Sequence, residues 1–105
     1  MYCASVAYPI TEGRRFDLEY FAKRHVPMFA RFLGQNCERF EVHRPLAQPG
    51  APAPRFVGSA YFWVRSGEEF GATLEQYGQE IYTDIPKFTD IDPVRQWSEV
   101  LESAA

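Results

Sequence analysis

The stretch Phe16–Leu33, FDLEYFAKRHVPMFARFL, carries apolar side chains at Leu18, Phe21, Ala22, Val26, Phe29, Phe32 and Leu33. Steps of three and four predict an amphipathic helix with one buried stripe. Asp17 marks its start, because its carboxylate can accept a free backbone N–H of the first turn. Gly34 marks its end. His25 lies four residues after Phe21 and four before Phe29, at the edge of the stripe. Pro27 follows within the helical pattern, where it removes an N–H and its ring meets the carbonyl of Lys23. Such a proline costs about 3 kcal/mol in an ordinary helix interior. A titratable ring beside a helix defect, facing inward, makes His25 the leading functional candidate.

On the N-terminal side, Tyr2–Tyr8 alternates Tyr2, Ala4, Val6 and Tyr8 with Cys3, Ser5 and Ala7. Both sets are small or apolar, which predicts a central strand covered on both faces. On the C-terminal side, Cys37–Leu46 reads as a second strand, with Phe40 and Val42 on one face. The run from Pro45 to Pro54 holds four prolines and a glycine and excludes regular structure, so it is a stiff surface connection. Arg55–Val64 is the third strand, again apolar on both faces, with Trp63 and Phe62 among the side chains that need cover. Ser66 and Glu69 form a capping box that opens a second helix with the inner stripe Phe70, Leu74, Tyr77 and Ile81. Gly71 and Gly78 point to close packing against that helix. Thr83–Asp92 reads as an irregular segment broken by Pro86, and Pro93–Leu101 as the last strand.

The order β-α-β-β-α-β is the ferredoxin-like α+β plan: a four-stranded antiparallel sheet with both helices on one face. The whole chain, residues 1–105, is one domain. Its other sheet face has no cover of its own, and aromatic residues make up 16% of the chain, more than so short a sequence easily hides. Pairing two such sheets face to face buries them, so a homodimer is expected.

A net charge of −3 argues against nucleic-acid binding. No apolar run approaches the roughly 20 residues of a membrane span, and no signal peptide opens the chain. Cys3 and Cys37 have no paired-ligand spacing, and reduced thiols in a cytoplasmic protein are expected. His25 and His43 lie on different elements without a further ligand at a recognised spacing, so no metal is expected. With neither a phosphate-cradling glycine loop nor a Gly-x-Ser-x-Gly elbow, a nucleotide cofactor and serine-hydrolase chemistry are set aside.

Tyr8-Pro9, Phe16-Asp17, Tyr20-Phe21 and His25-Val26-Pro27, followed by Tyr82, Pro86, Phe88-Thr89-Asp90 and Pro93, resemble the EthD family of dimeric α/β barrels. The resemblance spans nearly the whole chain. It implies a homodimeric α/β barrel within a superfamily that includes muconolactone isomerases, polyketide cyclases, cofactor-free quinol monooxygenases and haem-binding enzymes. The haem-binding relatives commonly take an axial histidine from the second helix, which has none here, so no cofactor is expected.

For His25 the expected role is general acid/base, because an imidazole exchanges protons near neutrality. The other reading is a core-edge histidine bonded to a backbone carbonyl or a strand side chain. Tyr8, Tyr61, Trp63, Tyr77 and Tyr82 form a candidate lining for an apolar pocket that takes a small apolar or aromatic ligand, with Tyr8 and Tyr77 the foremost. Thr89, Asp90 and Asp92 are candidates for positioning a substrate, for bonding His25 or for stabilising a turn. The function expected is cofactor-independent chemistry on a small apolar carbonyl or aromatic compound. The alternatives are a non-catalytic ligand-binding or accessory protein, a cofactor-free monooxygenase, and a purely structural dimer.

Overall fold

Elements follow in the order β-α-β-β-α-β, and the computed structural model describes residues 1–104. Ala105, the last residue of the single domain expected over 1–105, lies outside that range. Strands β1 (Tyr2–Pro9), β2 (Cys37–His43), β3 (Phe56–Val64) and β4 (Val94–Glu99) pair into one antiparallel sheet in the order β2-β3-β1-β4. The two strands that are apolar on both sides, β1 and β3, take the centre, and the more polar β2 and β4 take the edges. This is the ferredoxin-like α+β fold expected from the element order.

Register decides which side chains meet the helices. Ala4 stands opposite Phe62 and Trp97, Val6 opposite Ala60 and Arg95, and Tyr8 opposite Gly58. These side chains share one face, and the helices cover it. At Gly58 a methyl group would come within 3.0 Å of Leu18 Cδ1 and 3.1 Å of Phe16 Cε1, so the start of the first helix rests directly on β3 there. The core is built from Tyr8, Phe21, Val26, Leu33, Ala60, Phe62, Val64, Phe88 and Ile91. Phe62 faces the helices, with its ring centroid 4.7 Å from that of Phe29. Trp63 faces the bare side. Only one of these two residues therefore needs cover from outside.

Residues 18–33 form one continuous helical run with a change of winding inside it. Leu18–Tyr20 is α-helical, Phe21–His25 π-helical and Val26–Leu33 α-helical. Asp17 caps the start by accepting from the Tyr20 N–H at 3.0 Å, and Phe16 precedes the helix, bridged instead to Thr89. The Val26 N–H donates to the Phe21 carbonyl, five residues back. The wider turn ends at His25, two residues before Pro27, and relieves the conflict a proline creates in a regular helix. Gly34 closes the run with a φ of 59°, a conformation that suits glycine.

The second helix, Gly67–Asp84, is longer than the sequence pattern suggests, continuing through Thr83 to a short 3₁₀ turn at Ile85–Lys87. Pro86 sits in that turn, where its missing N–H costs little. Ser66 Oγ accepts from the Glu69 N–H at 3.1 Å. The reciprocal half of the capping box does not form, because the Ser66 N–H is taken by the buried Asn36 at 2.8 Å. Asn36 Oδ1 also accepts from Arg65 N, and its Nδ2 donates to the Ser66 carbonyl. One amide thus ties the end of the first helix to the start of the second. Gly78 is buried beside the Tyr82 ring, whereas Gly71 faces open space.

The uncovered sheet face carries Cys3, Ser5 and Ala7 of β1, Tyr61 and Trp63 of β3, and Arg39 and His43 of β2. The Arg39 guanidinium lies 4.0 Å from the Trp63 ring centre, and the His43 ring packs tilted against Tyr61 with centroids 4.7 Å apart. Both cysteines are free thiols. Among the described residues, no helix is long and apolar enough to cross a membrane.

Candidate functional site

The His25 ring is buried, only 5% exposed. Its Nδ1 lies 2.9 Å from Asp84 Oδ2, and the Tyr20 hydroxyl donates to Asp84 Oδ1 at 2.8 Å. Lys87 Nζ approaches the same Oδ1 at 3.5 Å. Residues five apart in a straight α-helix, as Tyr20 and His25 are, point about 140° apart around the axis. The π-turn between them brings both onto one carboxylate. The defect that Pro27 imposes is thus also what builds the site.

Burial holds His25 below its ordinary pKa, against the opposing pull of Asp84. Burial works against the Asp84 carboxylate too, but hydrogen bonds from His25 and Tyr20 and the Lys87 charge outweigh it, and its pKa lies below the usual value. The pair at neutral pH is therefore a neutral imidazole and a carboxylate. A carboxylate only accepts, so Nδ1 carries the proton and Nε2 the lone pair. No protein group bonds Nε2 among the described residues, and no buried side-chain nitrogen or oxygen lacks a partner there. Nε2 is consequently open to the cavity that the ring lines.

That cavity has a volume of about 320 Å³ and lies between the helices and the β1–β4 half of the sheet. Its wall is aromatic and aliphatic, with Phe21, Phe29, Phe62, Phe70, Leu74 and Ile81 beside His25. Polar side chains on this side of the sheet are few among the lining residues: His25, Tyr8, Tyr82 and Arg95. Burial pushes the Tyr8 phenol up to about 12, despite the nearby positive charge of Arg95. Tyr8 is therefore a neutral hydroxyl donor across the physiological range.

The structure brings Tyr8 and Tyr82 together with His25 around the cavity. Tyr77 is elsewhere, stacked on Phe32 at 4.3 Å with nearly parallel rings. Tyr61 and Trp63 lie on the uncovered sheet face, beyond the sheet from His25. Asp90 and Thr89 serve the loop: Asp90 Oδ1 accepts from Arg15 N, and Thr89 Oγ1 donates to the Arg15 carbonyl. The carboxylate that meets His25 is Asp84, which the sequence reading passed over. Its signal was its place three residues after Ile81, continuing the buried stripe of the second helix. Among the described residues, no cluster of three or more His, Cys, Asp or Glu is placed to hold a metal ion.

Residues 13–92 match the sequence model of the EthD domain. The solved structure of an EthD-like protein from Ralstonia eutropha JMP134 is 41% identical, with a TM-score of 0.89 over 99% of this chain and 95% of that one. An EthD family protein from Bacillus halodurans C-125 shares the fold at 17% identity and a TM-score of 0.70, over 96% of this chain and 99% of that one. HapK from Hahella chejuensis shares it at 17% identity and 0.62, over 98% and 96%. No curated protein matches the chain.

Proposed function

This chain belongs to the EthD family, and from that premise we propose that it is a cofactor-independent enzyme acting on a small apolar carbonyl or aromatic compound, with His25 as general acid/base. The observation that supports this most is the orientation of His25, whose Nδ1 is held 2.9 Å from Asp84 while Nε2 is left to the cavity. In the reaction Nε2 takes a proton from the carbon next to a carbonyl, and the C–H electron pair passes into the enolate. The imidazolium so formed is stabilised by Asp84. The Tyr8 hydroxyl donates to the oxygen on which charge develops. Return of the proton to the same or another carbon completes exchange or isomerisation, and the apolar wall keeps bulk water from quenching the enolate.

The test is deuterium incorporation at the α-carbon of a panel of aryl and cyclic ketones in deuterium oxide, followed by proton NMR. The wild type accelerates exchange for at least one member. His25→Asn lowers that rate by about 10²- to 10⁴-fold, the usual contribution of a positioned acid/base, and keeps ligand affinity. Binding without exchange in the wild type favours the second reading, a non-catalytic carrier of the same ligands, which the largely apolar wall of the cavity also suits. Proton removal from a phenol or quinol by Nε2 also begins a cofactor-free oxidation, so oxygen consumption is followed in parallel.

The proposal includes assembly. The uncovered sheet face, with Tyr61 and Trp63 half-buried on it, supports a homodimer joined through that face.

A further inference from the structure

The charges around the cavity are unbalanced. Of the seventeen residues that line it, Arg95 alone bears a full charge at neutral pH, and none is an acid. Arg95 lies on the edge strand β4, opposite Val6, on the face that the helices cover. Among the described residues its guanidinium takes part in no salt bridge and has no hydrogen-bond partner. The carboxylate of the site, Asp84, is already occupied by His25, Tyr20 and Lys87. Arg95 and the Tyr8 hydroxyl are close enough for the charge of one to act on the other. Trp97, two residues on along the same face of the strand, also lines the cavity.

We infer that the cavity takes a planar aromatic molecule bearing a carboxylate, with its ring among Phe29, Phe62, Phe70 and Trp97 and its carboxylate on Arg95. This inference rests on the ligand-cavity reading above. A guanidinium offers a planar fork of donors that matches a carboxylate in two parallel hydrogen bonds, which a single ammonium cannot do. In a chain of net charge −3 an anion gains little from the overall field, so recognition must come from this one local cation. Arg95 is exposed on the edge strand, so the ligand's carboxylate sits at the rim of the cavity while its ring occupies the apolar wall.

Isothermal titration with 2-naphthoate and its uncharged counterpart 2-naphthamide tests the inference. The two share ring and shape and differ in the charge that Arg95 is proposed to read. The expected result is naphthoate binding about ten-fold or more tighter than naphthamide at low salt, with the preference shrinking as salt is raised. Arg95→Gln abolishes the preference and leaves naphthamide affinity unchanged, while Arg95→Lys restores only part of it. Equal affinities in the wild type, or a preference that survives Arg95→Gln, overturn the inference and leave the cavity reading standing. Binding of neither probe overturns both.

Discussion

At the residue scale, the proposed chemistry depends on how His25 and Asp84 share their charge. The native His25 pKa lies below the ordinary value of about 6.5, so as pH falls the unfolded chain takes up that proton before the folded one does. Stability is therefore full above about pH 6.5 and declines as pH drops from there toward the native pKa. Asp84, also depressed, adds a second loss as pH falls below about 4 and through its native pKa. Urea unfolding across this range should show the two losses in sequence, and His25→Asn should erase the first. Asp84→Asn removes the carboxylate that holds His25 up, so any acid limb in the rate profile should move to lower pH while the maximal rate falls. A purely structural Asp84 would change stability and leave the limb in place. Little of this pair was legible in advance. His25 drew attention because a polar ring on an apolar stripe is conspicuous. Asp84 did not, because the nearby Pro86 made the whole segment read as a break.

At the element scale, the strands and helices follow from periodicity almost to their ends, since alternation and three-four spacing report directly which side is buried. The joints were less readable. Asn36 is one residue in a short 3₁₀ turn, yet it bonds three backbone groups of Arg65 and Ser66. Asn36→Ala takes the side-chain partner from the part-buried Ser66 N–H and carbonyl, while Arg65 N keeps the Asn36 carbonyl, and should cost about 1–3 kcal/mol, whereas Ser66→Ala, which removes only the cap, should cost about 1 kcal/mol. Thermal or urea unfolding of the two variants side by side checks the order. The π-turn was equally hidden. Pro27 announces a conflict, but the sequence does not say whether the helix answers by kinking, stopping or widening.

At the scale of the whole molecule, the sheet has a covered side that holds the cavity and an uncovered side that holds Tyr61 and Trp63. Composition alone pointed to more aromatic surface than one copy hides, and register then decided the sides: Phe62 goes under the helices and Trp63 does not. If two copies join through that face, Trp63→Asp should convert dimer to monomer in sedimentation at micromolar concentration, with far-UV circular dichroism unchanged. A wild type that sediments as a monomer counts against the assembly proposal and leaves the cavity chemistry untouched.

His25 and Asp84 are separated by 59 residues, and the loops flanking them are laced together: Arg14 bonds the Asp90 carbonyl, Arg15 bonds Pro86 and Asp90, and Asp17 N donates to the Phe88 carbonyl. A chain emerging vectorially from the ribosome has its histidine long before it has the partner or the lacing. Until then the imidazole meets water and titrates as an ordinary side chain. On the acid/base reading proposed above, His25 becomes the oriented base only once Asp84 and the loop that follows it have emerged and packed, and a chain stalled before that point carries the histidine without its partner.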